Sequence, residues 1–271
     1  MLTLMYITNS PAVAEIASKA GVDRIFVDLE TIGKSERQGG MDTVQSRHYL
    51  DDIPKVKNAI LDSTELLVRS NPIHYGSKEE IETIIKNGAD VVMLPYFKSV
   101  EEVEKFIELI NGRAKVNLLV ETPEAVEHLD EILLLPGIDE IHVGLNDLHL
   151  GYKMKFLFEV LAEGIVDKIG DKVLKKGIKF GFGGIASLGK GIVPAEMIIK
   201  EHYRIGSTCA ILSRAFCNTD LIRDMNEIER IFNDGIRDIR ALENEVQSHI
   251  DYFEDNRVNL VKAVSDFVKT R

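Results

Sequence analysis

The sequence predicts a (β/α)8 barrel. Three observations carry that expectation: eight short β-branched or aliphatic runs, helix-compatible stretches between them, and a chain of suitable length. The runs span residues 3–8, 24–30, 65–71, 91–96, 115–122, 140–148, 179–185 and 209–216. They are nearly continuous in apolar residues, the pattern of parallel strands covered on both faces. Eight units in roughly 215 residues fit a fold that typically occupies ~250. A doubly wound open sheet is the alternative, but no Gly-x-Gly-x-x-Gly follows the first run, so its dinucleotide turn is missing.

The punctuation between runs is regular. Ser10-Pro11 reads as an N-cap with proline at the first helical position, and Ser77 with Glu80 and Ser99 with Glu102 read as capping boxes. Gly21, Gly88 and Gly177 stand where helices should stop, two or three residues before the next run. The segment 31–52 after the second run is long and polar, with Lys34, Arg37, Gln38, Gly39, Gly40, Arg47 and His48. Long barrel loops on that side usually cover a site. In the tail after Asn218, Leu221, Met225, Ile228, Phe232, Ile236, Ile239, Leu242, Val246, Ile250 and Phe253 recur every three or four residues. This spacing predicts a helix of about nine turns. Such a helix outruns one barrel wall, so its apolar stripe either meets another subunit or folds back as a hairpin. Residues 1–217 are expected to form the barrel, and 218–271 a C-terminal helical extension that contacts other copies.

Composition narrows the function. The chain has 271 residues, 45% of them hydrophobic, and a net charge of −11. That acidic balance disfavours a nucleic-acid partner. The longest apolar runs, such as 91–95 and 132–136, are far short of the ~20 residues of a membrane-spanning helix. No basic start with an unbroken apolar stretch suggests export, and Cys209 and Cys217 offer neither a disulfide framework nor zinc spacing, so a cytoplasmic setting is expected.

Barrel active sites lie at the C-terminal ends of strands, so polar residues there carry most meaning. The second run ends Val27-Asp28-Leu29-Glu30, the third Val68-Arg69-Ser70-Asn71, the fifth Leu119-Val120-Glu121-Thr122, the sixth Gly144-Leu145-Asn146-Asp147 and the seventh Gly181-Phe182-Gly183-Gly184. Alternation places Asp28 with Glu30, and Arg69 with Asn71, on shared faces. Glu121 and Asp147 end adjacent runs, where two bare carboxylates would repel each other unless a cation lay between them. Hard oxygen donors without a His or Cys cluster favour Mg2+ or Mn2+. The bland alternative is a structural network with Arg69 or a lysine. The fork of Arg69 suits a substrate carboxylate or a developing enolate oxygen, or else a salt bridge to Asp28 or Glu30. Gly183 and Gly184 would let backbone N–H groups approach an anion, or simply form a tight turn. Lys34 and Arg37 could grip an anionic tail, although a solvated surface role is commoner.

At these residues the chain resembles the HpcH/HpaI aldolase and citrate lyase family. The similarity runs in order through Gly21-Val22-Asp23, Asp28-Leu29-Glu30, Val68-Arg69-Ser70-Asn71, residues 88–95, Val120-Glu121-Thr122, Gly137-Ile138-Asp139 and Gly144-Leu145-Asn146-Asp147-Leu148. The resemblance implies a (β/α)8 barrel, a divalent metal held by Glu121 and Asp147, and Arg69 in contact with substrate. It also implies carbon–carbon bond cleavage or formation next to a 2-oxo acid or acyl thioester, in oligomers assembled through C-terminal helices. One departure matters: pyruvate aldolases of the family carry a histidine after the residue matching Glu30, and here Thr31 stands there. His48, in the long loop, could substitute as the acid/base group.

The leading expectation is therefore a metal-dependent, class II aldolase-type lyase acting on a pyruvate-like unit. Glu121 and Asp147 hold the metal, Arg69, Glu30, Asp28 and His48 act in catalysis, and Arg69, Asn71, Gly183 and Gly184 bind substrate. Two alternatives stay open: an acyl-CoA thioester lyase of the citrate lyase β-subunit type, and a degenerate barrel serving as a binding or assembly subunit.

Overall fold

All eight strands are parallel and pair in chain order, and β8 closes on β1. The computed structural model describes residues 1–33, 47–248 and 251–270. The strands are β1 (Thr3–Ile7), β2 (Arg24–Asp28), β3 (Glu65–Arg69), β4 (Val91–Leu94), β5 (Lys115–Val120), β6 (Glu140–Val143), β7 (Lys179–Ile185) and β8 (Cys209–Leu212). Each begins where its apolar run begins. Helices α1 (Pro11–Lys19), α2 (Asp52–Lys57), α3 (Ser77–Lys86), α4 (Val100–Ile110), α5 (Pro123–Glu127) and α6 (Leu129–Ile132) lie in the connections through β6. Then come α7 (Leu145–Gly151), α8 (Glu159–Ala162), α9 (Ile165–Lys175) and α10 (Ala195–Ile205), followed by the tail helices α11 (Met225–Ser248) and α12 (Phe253–Lys269).

Three differences from the sequence reading have local causes. The sixth run divides at Gly144: β6 ends at Val143, and Asp147 sits in the first turn of α7. Leu145 and Leu148, three apart, are both buried, which is helical spacing. Ser77 is not an N-cap; its hydroxyl accepts the His74 amide, and Glu80 binds Asn71 instead of closing a capping box. The tail is two helices rather than one of nine turns. It folds back, with α11 packing on α1 and α12 on α8 and α10. Ile228, Phe232, Ile236, Ile239 and Val246 thereby bury their side chains within the chain.

The barrel interior is layered by strand alternation. At the N-terminal end, Arg24 donates to both oxygens of Glu140 (2.7 and 2.9 Å) and to Glu65 (2.6 Å), which also pairs with Lys115. The middle layer is an apolar cluster of Met5, Phe26, Leu67, Val91, Met93, Leu119 and Cys209. Above it, at the C-terminal ends, face Asp28, Arg69 and Glu121. This order, ionic floor, apolar plug and polar mouth, positions the site.

Candidate active site

Asp28 and Arg69 are direct register partners on β2 and β3. Register therefore sets a bidentate pair: Arg69 donates from Nε to Asp28 Oδ1 (2.8 Å) and from Nη2 to Oδ2 (2.7 Å). Glu30 Oε2 lies 3.4 Å from the same Nη2. Burial works against the guanidinium's charge, but the carboxylates of Asp28 and Glu30 outweigh it and raise its pKa above the ordinary arginine value. Nη1 makes no hydrogen bond among the described residues, and Arg69 lines the central cavity, so one edge of the fork faces the space where a ligand would sit.

Glu121 follows β5 directly, and its Oε1 accepts the Tyr96 amide at 3.0 Å. Tyr96 holds that amide in place with a left-handed backbone (φ 47°), a conformation costing a non-glycine residue about 1–3 kcal/mol. Gly144, on the neighbouring chain segment, is required here: a Cβ would fall 2.7 Å from Glu121 Oε2 and 2.8 Å from its Cβ. Asp147 projects from the first turn of α7 and lines the same cavity as Glu121.

His48 also lines this cavity, and its Nδ1 accepts the Asp28 amide at 2.9 Å. That bond fixes the neutral tautomer with the proton on Nε2. Gly183 and Gly184 border the cavity too. Gly183 (φ 51°) marks a bulge, since Gly181 pairs with Cys209 but Gly184 pairs with Ile211, one residue out of step. Glu30 is buried behind Arg69 and does not line the cavity. Asn71 is turned toward the loop: its Oδ1 accepts the Thr31 and Ile32 amides (2.9 and 3.0 Å), while its own amide groups donate to Glu80. Lys34 and Arg37 lie outside the described residues.

Among the polar residues that line the cavity, Arg214 and His142 were not singled out from sequence, and Arg47 stood only as one of several polar residues of the long loop. Arg47 and Arg214 are exposed at the rim, and nothing local in the sequence distinguishes them from surface arginines. His142 had a legible signal, because it shares the inward face of β6 with Glu140 and Gly144.

The cavity encloses about 860 Å3, within the range of small-molecule sites. Its donor set suits a hard divalent cation. Glu121 and Asp147 offer carboxylate oxygens with space kept beside Glu121 by Gly144, and Mg2+ typically takes one or two carboxylates with its other positions left to water and substrate. Among the described residues no group of three or more His, Cys, Asp or Glu side chains forms an all-protein cage.

Fold and mouth together define a (β/α)8 barrel whose strand ends present buried carboxylates around one guanidinium. The chain belongs to the HpcH/HpaI aldolase/citrate lyase family, whose model matches residues 2–179, and it is by class a carbon–carbon lyase. No curated protein matches it. Among solved structures it is similar to an HpcH/HpaI aldolase/citrate lyase family protein from Burkholderia cenocepacia J2315 (14% identity, TM-score 0.64, covering 84% of this chain and 94% of that one). It is also similar to an HpcH/HpaI aldolase from Desulfitobacterium hafniense DCB-2 (16% identity, TM-score 0.59, 78% and 86%). A third is the citrate synthase SbnG (16% identity, TM-score 0.59, 89% and 94%). At these identities the structural likeness concerns the fold. No described helix is long and apolar enough to cross a membrane.

Proposed function

We propose that the protein is a metal-dependent lyase of the class II aldolase type, acting on the bond next to a pyruvate-like 2-oxo acid unit. The observation that carries this reading is the convergence of Glu121, Asp147 and Arg69 on one cavity. A Mg2+ or Mn2+ ion held by Glu121 and Asp147 would supply Lewis-acid charge beside the substrate's carboxylate and keto oxygens. Arg69 Nη1 faces the oxygen that gains charge as the carbon–carbon bond breaks, a preorganised donor worth more in a dry site than in water. Asp28, which also borders the cavity, and Glu30 hold the fork in one orientation. His48, its Nδ1 engaged by the Asp28 amide, borders the cavity and is the candidate acid/base group of this reading.

Calorimetric titration with Mn2+ tests the ligand assignment. Glu121→Gln and Asp147→Asn should each abolish binding; a variant that binds normally would remove its residue from the ligand set. The acyl-thioester alternative draws support from Arg47 and Arg214 at the rim, where a polyanionic carrier would lie. Cleavage of a malyl-type thioester without turnover of 2-oxo acids would favour it.

A further inference from the structure

Inside the barrel, one position departs from its layer. Strand alternation places His142 level with Phe26, Leu67, Leu119 and Cys209, beneath the polar mouth and above the ionic floor. The residue is 1% exposed, yet neither ring nitrogen completes a well-formed hydrogen bond among the described residues, the Gly183 backbone acting on the ring only weakly. A buried imidazole left without partners costs about 1–3 kcal/mol per group, so such a group calls for an explanation. The surroundings are fitted to the ring: a Cβ at Gly181 would fall 2.6 Å from Nδ1, so only glycine on β7 leaves it room. His142 also lines the same cavity as Arg69 and Glu121.

We propose that His142 is a specificity-determining residue, an uncharged hydrogen-bonding floor that takes a hydroxyl or carbonyl oxygen of the substrate, while the substrate's carboxylate is held at the mouth. The inference rests on the 2-oxo acid reading above and adds which chemical group the deep end of the cavity selects. Burial pushes the imidazole down to about 4, with Arg24 and Arg69 acting in the same direction and the Gly183 backbone and Glu140 opposing them. The ring is therefore neutral near pH 7, with one N–H donor and one acceptor nitrogen. A neutral ring in an apolar layer cannot compensate a second carboxylate, whereas it matches an uncharged oxygen. An apolar group placed there would leave both nitrogens unpaired.

Two isosteric probes isolate the effect: 3-hydroxypyruvate and 2-oxobutanoate differ by a hydroxyl in place of a methyl. Their dissociation constants for the Mn2+-loaded protein, measured by calorimetry, should favour 3-hydroxypyruvate by roughly tenfold. His142→Phe, similar in size, should erase that preference, and His142→Gln should retain part of it. Equal affinity of the unsubstituted protein for both acids overturns the proposal without any variant, so misfolding of H142F cannot rescue it. A preference that survives in a folded H142F protein also overturns it. Binding of neither acid overturns the 2-oxo acid reading and this inference together, whereas equal binding leaves that reading intact. A crystal soaked with 3-hydroxypyruvate showing only water against His142 would count against it as well.

Discussion

Single atoms decide what the mouth can hold. Gly144 is the sharpest case, because the missing Cβ is the space beside Glu121 Oε2. Gly144→Ala should push the Glu121 side chain aside and weaken Mn2+ affinity by roughly tenfold or more, the usual scale for disturbing a ligand's support. Calorimetry on the folded variant checks this; unchanged affinity would show that Glu121 tolerates the shift. Arg69 illustrates the same point from the donor side. Two of its nitrogens are fixed by Asp28, so the third is aimed without a further entropic cost on binding.

Among the elements, the long helix α11 does more than cover a wall. Its Glu243 accepts the Leu2 amide at 2.6 Å, and Arg240 donates to the Leu2 carbonyl and to Asp23, tying the tail to the start of β1. Phe232 stands edge-on to Tyr6 and Phe216, at ring separations of 4.8 and 5.4 Å. Phe232→Ala should therefore destabilise the protein by about 3–5 kcal/mol, read from urea unfolding. A loss under 1 kcal/mol would mean that α11 is only loosely docked. Gly235 lets this helix approach closely, since a Cβ there would meet the Phe216 ring at 2.6 Å.

For the whole molecule, buried charge arrangements set the acid limit. Burial alone would raise the Glu65 carboxyl, but Lys115 and Arg24 override it and hold it at about 2, below its ordinary 4.5. This carboxylate contributes stability that is full above pH 4.5 and lost as pH falls toward 2. His142 is depressed from 6.5 to about 4, so between those values the unfolded chain takes up the proton first and stability falls with pH. His202, buried and stacked on Phe182 at 3.8 Å, is depressed in the same direction. Melting temperature should thus begin to drop near pH 6.5, well before the carboxylates titrate, and His142→Phe should flatten part of that early drop. A flat profile from pH 6.5 to 4 would contradict the buried neutral histidines.

The sequence by itself determined the barrel, because eight apolar runs separated by caps and positive-φ glycines are local signals. Every strand starts where its run starts, and the Ser10 and Ser99 caps form as their residues require. It also brought Asp28, Arg69 and Glu121 to the mouth, since strand ends in a barrel have one place to go. What the tertiary structure decided was everything set by register and close approach. Asp147 reached the cavity from a helix, Asn71 turned to the Thr31 loop, and the tail bent back on its own barrel. His142 acquired its setting only when β6 closed against the glycines of β7. A run of apolar residues encodes that it will be buried, but which atoms it will face depends on partners far away in the chain.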